Sequence, residues 1–364
     1  MVADRGDLAA WLRLTLVPGV GGEARRTLLK ACGLPQAIFE STPRALAALV
    51  EPVLAERLLT HDCAATVAEA LEWAGQPGNR LVTLADADYP RTLLTADDPP
   101  VLLYVKGNTE ILNRPMLAIV GSRNATAQGA RDAEAFARTL GEAGLTIVSG
   151  LALGIDGASH RGALDTAAGT VAVVGTGADR IYPARNEPLA RAIAEKGAIV
   201  SEFPLGTPPL AGNFPRRNRL IAGFALGCLV VEAAPRSGSL ITARLAAEAG
   251  REVFAVPGSI HSPLSRGSHQ LIRQGAKLVE SAADILEELR WPVPAGTELG
   301  AQDDTTEGIL EERVLASLGD APCDVEALSV RTGLTPADLL AILLPMELAG
   351  RIAQLPGGLY QSLR

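Results

Sequence analysis

From Pro115 onward the chain alternates short apolar runs rich in Val, Ile and Ala with amphipathic segments of helix length, and that rhythm leaves few folds open. Met116–Val120 precedes a helical segment at 127–143, Leu145–Ser149 precedes 157–168, and Thr170–Val174 precedes 186–196. Ala198–Val200 is followed by a long loop and a helix near 216–226. Then come Cys228–Val231, a helix near 239–249, Glu252–Val256, Lys277–Val279 and a closing helix at 282–290. Strands that are apolar at nearly every position are buried on both faces, as in a parallel sheet covered by helices. Residues 107–290 are therefore expected to form an α/β domain with a doubly wound, mainly parallel, Rossmann-like sheet.

The flanks read differently. Residues 1–106 predict a small helical domain followed by a connector. Ala9–Leu16 and Ala24–Ala31 are helical, and Val17-Pro18-Gly19-Val20-Gly21-Gly22 makes the turn between them. That turn suits either a helix-hairpin-helix contact to a nucleic-acid backbone or a plain αα-hairpin. Residues 77–106, with Asp88-Tyr89-Pro90 and Asp98-Pro99-Pro100, read as irregular. Residues 291–308 read as a linker. Residues 309–364 have a winged-helix outline: helices at 310–318, 324–331 and 337–349, then a two-stranded wing around Pro356-Gly357-Gly358. The third helix carries Asp338 and Glu347 but no Lys or Arg, which favours a protein-contact module over a DNA reader.

The formal net charge is -8, but it is unevenly placed. Residues 1–106 carry 10 basic and 13 acidic groups, 107–290 carry 19 and 17, and 291–364 carry 4 and 11. Only the middle segment is net positive, so it alone meets a polyanion without long-range repulsion. Cys32, Cys63, Cys228 and Cys323 have no spacing that suggests zinc or a disulfide framework. The first residues lack the zones of a signal peptide, and no apolar run reaches the ~18 residues of a membrane span. A cytoplasmic protein without a membrane partner is the expectation.

Ligands of an open parallel sheet sit beyond the carboxyl ends of its strands. Those ends read Gly121-Ser122-Arg123, then Ser149-Gly150 with Gly154 following, then Gly175-Thr176-Gly177 with Arg185 and Asn186 downstream. Glycines admit close backbone approach, helix N-termini offer free N–H groups, and arginine adds a forked clamp for phosphate. A nicotinamide fingerprint is broken, because Arg180 stands where the third glycine of G-x-G-x-x-G belongs. The loop Asn213-Phe214-Pro215-Arg216-Arg217-Asn218-Arg219, just before an apolar helix, joins three arginines to one aromatic ring, the chemistry that binds a single nucleic-acid strand. Its competing explanation is arginine pairing with carboxylates such as Glu202 and Glu232. Ser237-Gly238-Ser239 opens a further helix with small polar groups suited to an anion.

No catalytic set emerges. His61, His160, His261 and His269 lack metal-ligand spacing, and His160 beside Asp156 and Arg161 reads as a packed or paired histidine. There is no P-loop and no G-x-S-x-G elbow. No cofactor or metal is called for.

In order, the motifs are IVGSR, SGLALGIDGASHRGAL, VVGTGADRIYPARN, SEFPLGTPP, NFPRRNRLIAG, VVEAAPRSGSLITARLAAEAGREVFAVPG and GSHQLIRQGA. Over about residues 100–285 this series resembles the DNA-processing protein A (DprA/Smf) family. The resemblance implies a bacterial protein, not an enzyme, that binds single-stranded DNA without strong sequence preference. It further implies protection of incoming strands in natural transformation, loading of the RecA recombinase onto them, and a homodimer. The family's phosphate pocket maps onto Gly121, Ser122 and Arg123, and its basic residue in the Tyr-Pro-x-x-Asn turn onto Arg185. Its Phe-x-x-Arg-Asn-Arg segment maps onto Phe214, Arg217, Asn218 and Arg219. The dimer surface is expected near Leu271 and Ile272. The rival reading is a nucleotide-processing enzyme related to the lysine-decarboxylase-like phosphoribohydrolases. Those enzymes carry P-G-G-x-G-T-x-x-E, and here the segment from Arg236 has no glutamate before Glu248.

Overall fold

The computed structural model describes residues 5–292, 306–318, 322–355 and 358–362. The chain divides into two compact units, residues 1–297 and 298–364. The larger unit is organised on nine strands: β1 (Asn79–Thr83), β2 (Leu102–Gly107), β3 (Met116–Val120), β4 (Thr146–Ser149), β5 (Thr170–Val173), β6 (Ala198–Ser201), β7 (Gly227–Val230), β8 (Glu252–Ala255) and β9 (Lys277–Leu278). They lie side by side in the order β1-β2-β6-β5-β4-β3-β7-β8-β9. All neighbours from β6 to β9 run parallel, while β1 and β2 are antiparallel additions at one edge.

The doubly wound, mainly parallel sheet follows from side-chain alternation. Val171 and Val173 belong to one buried cluster with Leu220, Phe224 and Ala243, while Ala172 and Val174 belong to another with Ala190 and Ile193. Successive residues of one strand thus feed opposite faces, and both faces are covered by helices. The chain moves outward from β3 through β4 and β5 to β6, then jumps back to place β7 on the other side of β3. This reversal puts the switch point between β3 and β7.

One feature departs from the sequence reading. Residues 77–106 are not an irregular connector, because β1 and β2 lie within them and extend the sheet. The prolines and aspartates that suggested irregularity occupy the connection between the two strands. Tyr89, buried there, donates its hydroxyl to the Pro100 carbonyl at 2.7 Å and holds that connection against the sheet. The helices before β1 share a core with it: Trp11, Leu28, Ile38 and Trp73 pack with Leu81, Leu102 and Tyr104. In the hairpin between helices Arg5–Leu16 and Gly22–Cys32, Arg57 of the same layer donates to the Pro18 carbonyl at 2.9 Å.

The smaller unit has helices Thr306–Leu318, Val325–Thr332 and Pro336–Leu348 with strands β10 (Cys323–Asp324), β11 (Ile352–Leu355) and β12 (Leu359–Ser362), paired β10-β12-β11. Three helices on a small antiparallel sheet form a winged helix around Val314, Leu328, Leu339, Leu343 and Met346. The third helix exposes Leu340 and Leu344. Of the linker expected at 291–308, residues 293–305 lie outside the described residues, and the following helix begins at Thr306. Among the described residues no single helix is long and apolar enough to cross a membrane.

His160 shows how tightly the β4–β5 region is closed. Its ring is fully buried, Nε2 accepts from the Leu151 N–H at 3.3 Å, and Nδ1 lies 2.7 Å from the Thr170 hydroxyl. That hydroxyl in turn donates to the Ile147 carbonyl at 2.8 Å, so Nδ1 carries the proton and the imidazole is neutral. Burial, reinforced by the charges of Arg217 and Arg161, holds its pKa down to about 3. The unfolded chain therefore takes up a proton near pH 6.5 that the folded chain refuses until about pH 3. This contribution to stability is present above pH 6.5 and is lost as pH falls towards 3. His160→Gln, measured by thermal unfolding between pH 7.5 and 4.5, should give a Tm that falls less steeply with acid than that of the wild type. Parallel curves would show that His160 does not couple protonation to folding.

Candidate nucleic-acid interface

A cavity of about 730 Å³ opens at the β3–β7 switch point. Its walls come from the end of β3 (Val120 to Asn124), the turn and helix start after β4 (Ala152, Asp156), Tyr182, the helix Asn213–Phe224 with the residues just before it, and the segment after β7 from Ala234 to Thr242. The charged groups lining it are Arg123, Arg217 and Arg236 against the single carboxylate of Asp156. The chain is acidic, yet this cavity is cationic.

Arg217 is the innermost of the three. Its side chain is 4% exposed, and Nε and Nη1 are buried with no hydrogen-bond partner among the described residues. Burial lowers its pKa to about 10, with Asp156 opposing the shift, and at neutral pH the group remains a cation. A Cβ on Gly150 would coincide with the guanidinium, so the glycine at the end of β4 makes room for the arginine. Asp156 accepts from the N–H groups of Gly150 and Ala152 at 3.2 and 3.4 Å and faces Arg217 electrostatically.

Above this buried charge sits an aromatic and cationic rim. Phe214 lies 5.7 Å from Tyr182, ring centre to ring centre, and the Arg123 guanidinium stands 5.4 Å from the Phe214 centroid. Tyr182 is 44% exposed and Arg123 is exposed. Opposite them, Ser237 caps the helix Gly238–Glu248: its hydroxyl accepts from the Ser239 N–H at 3.3 Å and lies 2.7 Å from the Ser239 hydroxyl. A Cβ at Gly238 would meet nothing within 4 Å, so the backbone there is open to an approaching anion.

The expected site residues divide clearly. Gly121, Ser122, Arg123, Phe214, Arg217, Asn218, Ser237, Gly238 and Ser239 all line the cavity. The segment from Asn213 to Arg219 is not a loop. It forms the first two turns of the helix Asn213–Phe224, because Pro215 falls in the first turn, where its missing N–H has no intrahelical partner to lose. Helical periodicity then sorts its side chains. Phe214, Arg217 and Asn218 face the cavity, whereas Arg219 turns away, pairing with Glu202 and with Asp98 at 3.4 Å. Arg216 stands 5.3 Å from the Phe203 ring and lines a separate small pocket with Arg219. The carboxylate-pairing explanation is thus correct for Arg219. Glu232 instead accepts from the N–H and hydroxyl of Thr126 at the start of helix Ala127–Glu142.

Other expected contacts serve the scaffold. Ser149 is buried and donates to the Ile119 carbonyl at 2.6 Å. Asn186 is buried and donates to the carbonyls of Leu151 and Ala152 at 2.9 and 3.0 Å, fixing the turn that carries Asp156. Asn213 donates to the Gly175 carbonyl at 3.1 Å. Gly154, at φ +74°, presses against the carbonyls of Ser122 and Arg123. Arg185 is exposed but does not line the cavity. Leu271 packs in the chain's own core and also lines a second cavity beside Gln270 and Gln274, while Ile272 packs against that core. Asp156, Tyr182 and Arg236 line the cavity although the sequence alone marks none of them as a site residue. Arg236 alone carried a signal, its place just before Ser237.

A cationic cavity at a topological switch point, rimmed by aromatics and flanked by a helix N-terminus, marks a Rossmann-like α/β protein that also carries a winged helix. The family comparisons agree and go further. The DNA recombination-mediator protein A family matches residues 80–290, and the DprA winged helix domain matches 301–358. The Smf protein of Escherichia coli is 40% identical over 98% of this chain and 96% of its own length. The DNA processing protein DprA of Streptococcus pneumoniae is 48% identical over 57% of this chain and 74% of its own. The S. pneumoniae DprA crystal structure superposes with a TM-score of 0.68 at 38% identity, covering 79% of this chain and 99% of that one. The DNA processing protein A of Helicobacter pylori, solved for its single-stranded DNA binding mode, superposes with a TM-score of 0.53 at 31% identity, covering 58% and 95%. This chain belongs to the DNA recombination-mediator protein A (DprA/Smf) family.

The packing of Arg217 over Gly150 is testable on its own. Gly150→Ala should lower stability by about 1–3 kcal/mol through overpacking. In an Arg217→Ala background the same change should cost far less, because the space is then empty. Denaturant unfolding of the four proteins of this cycle measures the coupling. Additive effects would place Arg217 elsewhere.

Proposed function

We propose that this chain is a single-stranded DNA-binding recombination mediator. In this reading it binds and protects incoming single strands in the cytoplasm, and it loads a RecA-type recombinase onto them during natural transformation. It acts without a reaction of its own and as a homodimer. The observation that carries the DNA-binding part is the buried Arg217 cation in the cavity, with Nε and Nη1 lacking hydrogen-bond partners among the described residues. A buried charge without partners is costly, and a phosphate diester on the cavity floor would relieve it. Arg123 and Arg236 add backbone charges, and Phe214 with Tyr182 offers faces on which bases stack regardless of sequence. The single-strand binding of the H. pylori relative supports the same ligand. The family's description as recombination mediators supports the loading role. The homodimer draws support from β9, a two-residue edge strand whose Leu278 is half exposed.

The enzyme reading is weaker on a specific point. The first glutamate after Arg236 is Glu248, at the far end of the helix Gly238–Glu248, about 15 Å from its N-terminus by helical rise. There it pairs with Arg244 at 3.5 Å. His160 and Cys228 are fully buried, with burial pushing the Cys228 thiol up to about 12, so neither serves as a nucleophile or base at the cavity.

Two substitutions separate charge from stacking. Arg123→Ala should weaken binding to a mixed-sequence single strand and reduce the slope of log affinity against log salt by about 0.7, the loss of one phosphate contact. Phe214→Ala should cost about 1–3 kcal/mol of affinity with the slope unchanged. Fluorescence anisotropy titrations from low to high salt read both. Wild-type affinity and slope in both variants would remove the cavity from DNA binding.

A further inference from the structure

Arg219 belongs by resemblance to the DNA-contacting segment, yet its guanidinium is engaged on the opposite side of the helix from the cavity. Its Nη1 donates to the Asp98 backbone carbonyl at 2.6 Å, its Nε lies 3.4 Å from the Asp98 carboxylate, and its Nη2 pairs with Glu202. The Glu202 side chain is only 8% exposed. Asp98 also pairs with Arg26 of the helix Gly22–Cys32, and its carboxylate fills the space a side chain at Gly22 would need. A continuous ionic chain therefore runs from the N-terminal hairpin through Arg26 and Asp98 to Arg219 and Glu202. It ends on the helix whose other face carries Phe214 and Arg217 into the cavity.

We propose that Arg219 is a positioning residue rather than a DNA contact, and that Asp98 ties the N-terminal helical layer to the DNA-binding helix. The inference rests on the DNA-binding reading above. A forked guanidinium held by a backbone carbonyl and two carboxylates has little freedom, so it sets both the rotation and the axial position of its helix. A rotation error of one residue, about 100°, would carry Arg217 off Gly150 and Phe214 out of the rim. The N-terminal layer in this arrangement raises DNA affinity without touching DNA.

The two roles for Arg219 predict different salt behaviour. A phosphate contact removed by Arg219→Gln lowers the salt slope by about 0.7, as for Arg123→Ala. A positioning residue leaves the slope at its wild-type value while affinity falls about 3- to 10-fold. Asp98→Asn gives a sharper test and, being isosteric and partly exposed, a safer fold. Loss of a carboxylate by itself strengthens binding to a polyanion, whereas loss of the tether weakens it. The full-length protein and a fluorescent mixed-sequence single strand serve for all variants, with thermal unfolding confirming that each is folded. Weaker binding by both variants at unchanged slope is the expected result. A reduced slope for Arg219→Gln, or unchanged or tighter binding by Asp98→Asn, would overturn the positioning role while Arg123→Ala still reports a working site. Failure of the wild type to bind the strand would instead remove the DNA-binding reading beneath it.

Discussion

The burial of one arginine organises the site. Arg217 occupies the space above Gly150, beside the carboxylate of Asp156, with two guanidinium nitrogens lacking hydrogen-bond partners among the described residues. A cation held this way is costly, and both a fixed helix and an anion that completes its coordination reduce that cost. The glycine after β4, the Asn186 clamp on Leu151 and Ala152, and the Asp156 bonds to the same turn all serve that geometry. So does the ionic anchorage of Arg219 on the far side of the same helix.

Topology explains why the charge sits where it does. The jump from β6 back to β7 opens the sheet at the carboxyl ends of β3 and β7, and an open sheet has only such a place to hold a ligand. Segments from five separate parts of the chain meet there and bring three arginines to face one carboxylate. The overall charge of -8 is no obstacle, because exposed charges farther away than about 10 Å are largely screened at physiological salt. In the proposed DNA-binding role, the aromatic rim distinguishes a strand with accessible base faces from a bare anion.

The alternation of apolar runs and amphipathic segments was enough to read the parallel sheet, and the ordered motifs were enough to read the family. Side-chain roles within the motifs were less legible. Asn213 to Arg219 reads as a loop before a helix near 216–226, but the helix starts at Asn213 and places Pro215 in its first turn, where a helix tolerates it. Once the segment is helical, Arg217 and Arg219 point in different directions, and nothing in their adjacency shows which is which. The glycines were read as openings for a ligand. Gly121, Gly150 and Gly154 are instead filled by Ile155, by Arg217 and by the turn after β3, and only Gly238 stays open. β1 and β2 were missed because the prolines between them hid two short strands whose partners are distant in sequence.

The central claim is that a nucleic-acid backbone completes the environment of Arg217. A crystal structure of the full chain with a short oligothymidylate tests it most directly. The account predicts a phosphate within hydrogen-bond distance of the Arg217 guanidinium, a second near Arg123, and a base against Phe214. A strand bound to the winged-helix unit with the β3–β7 cavity unoccupied would contradict it.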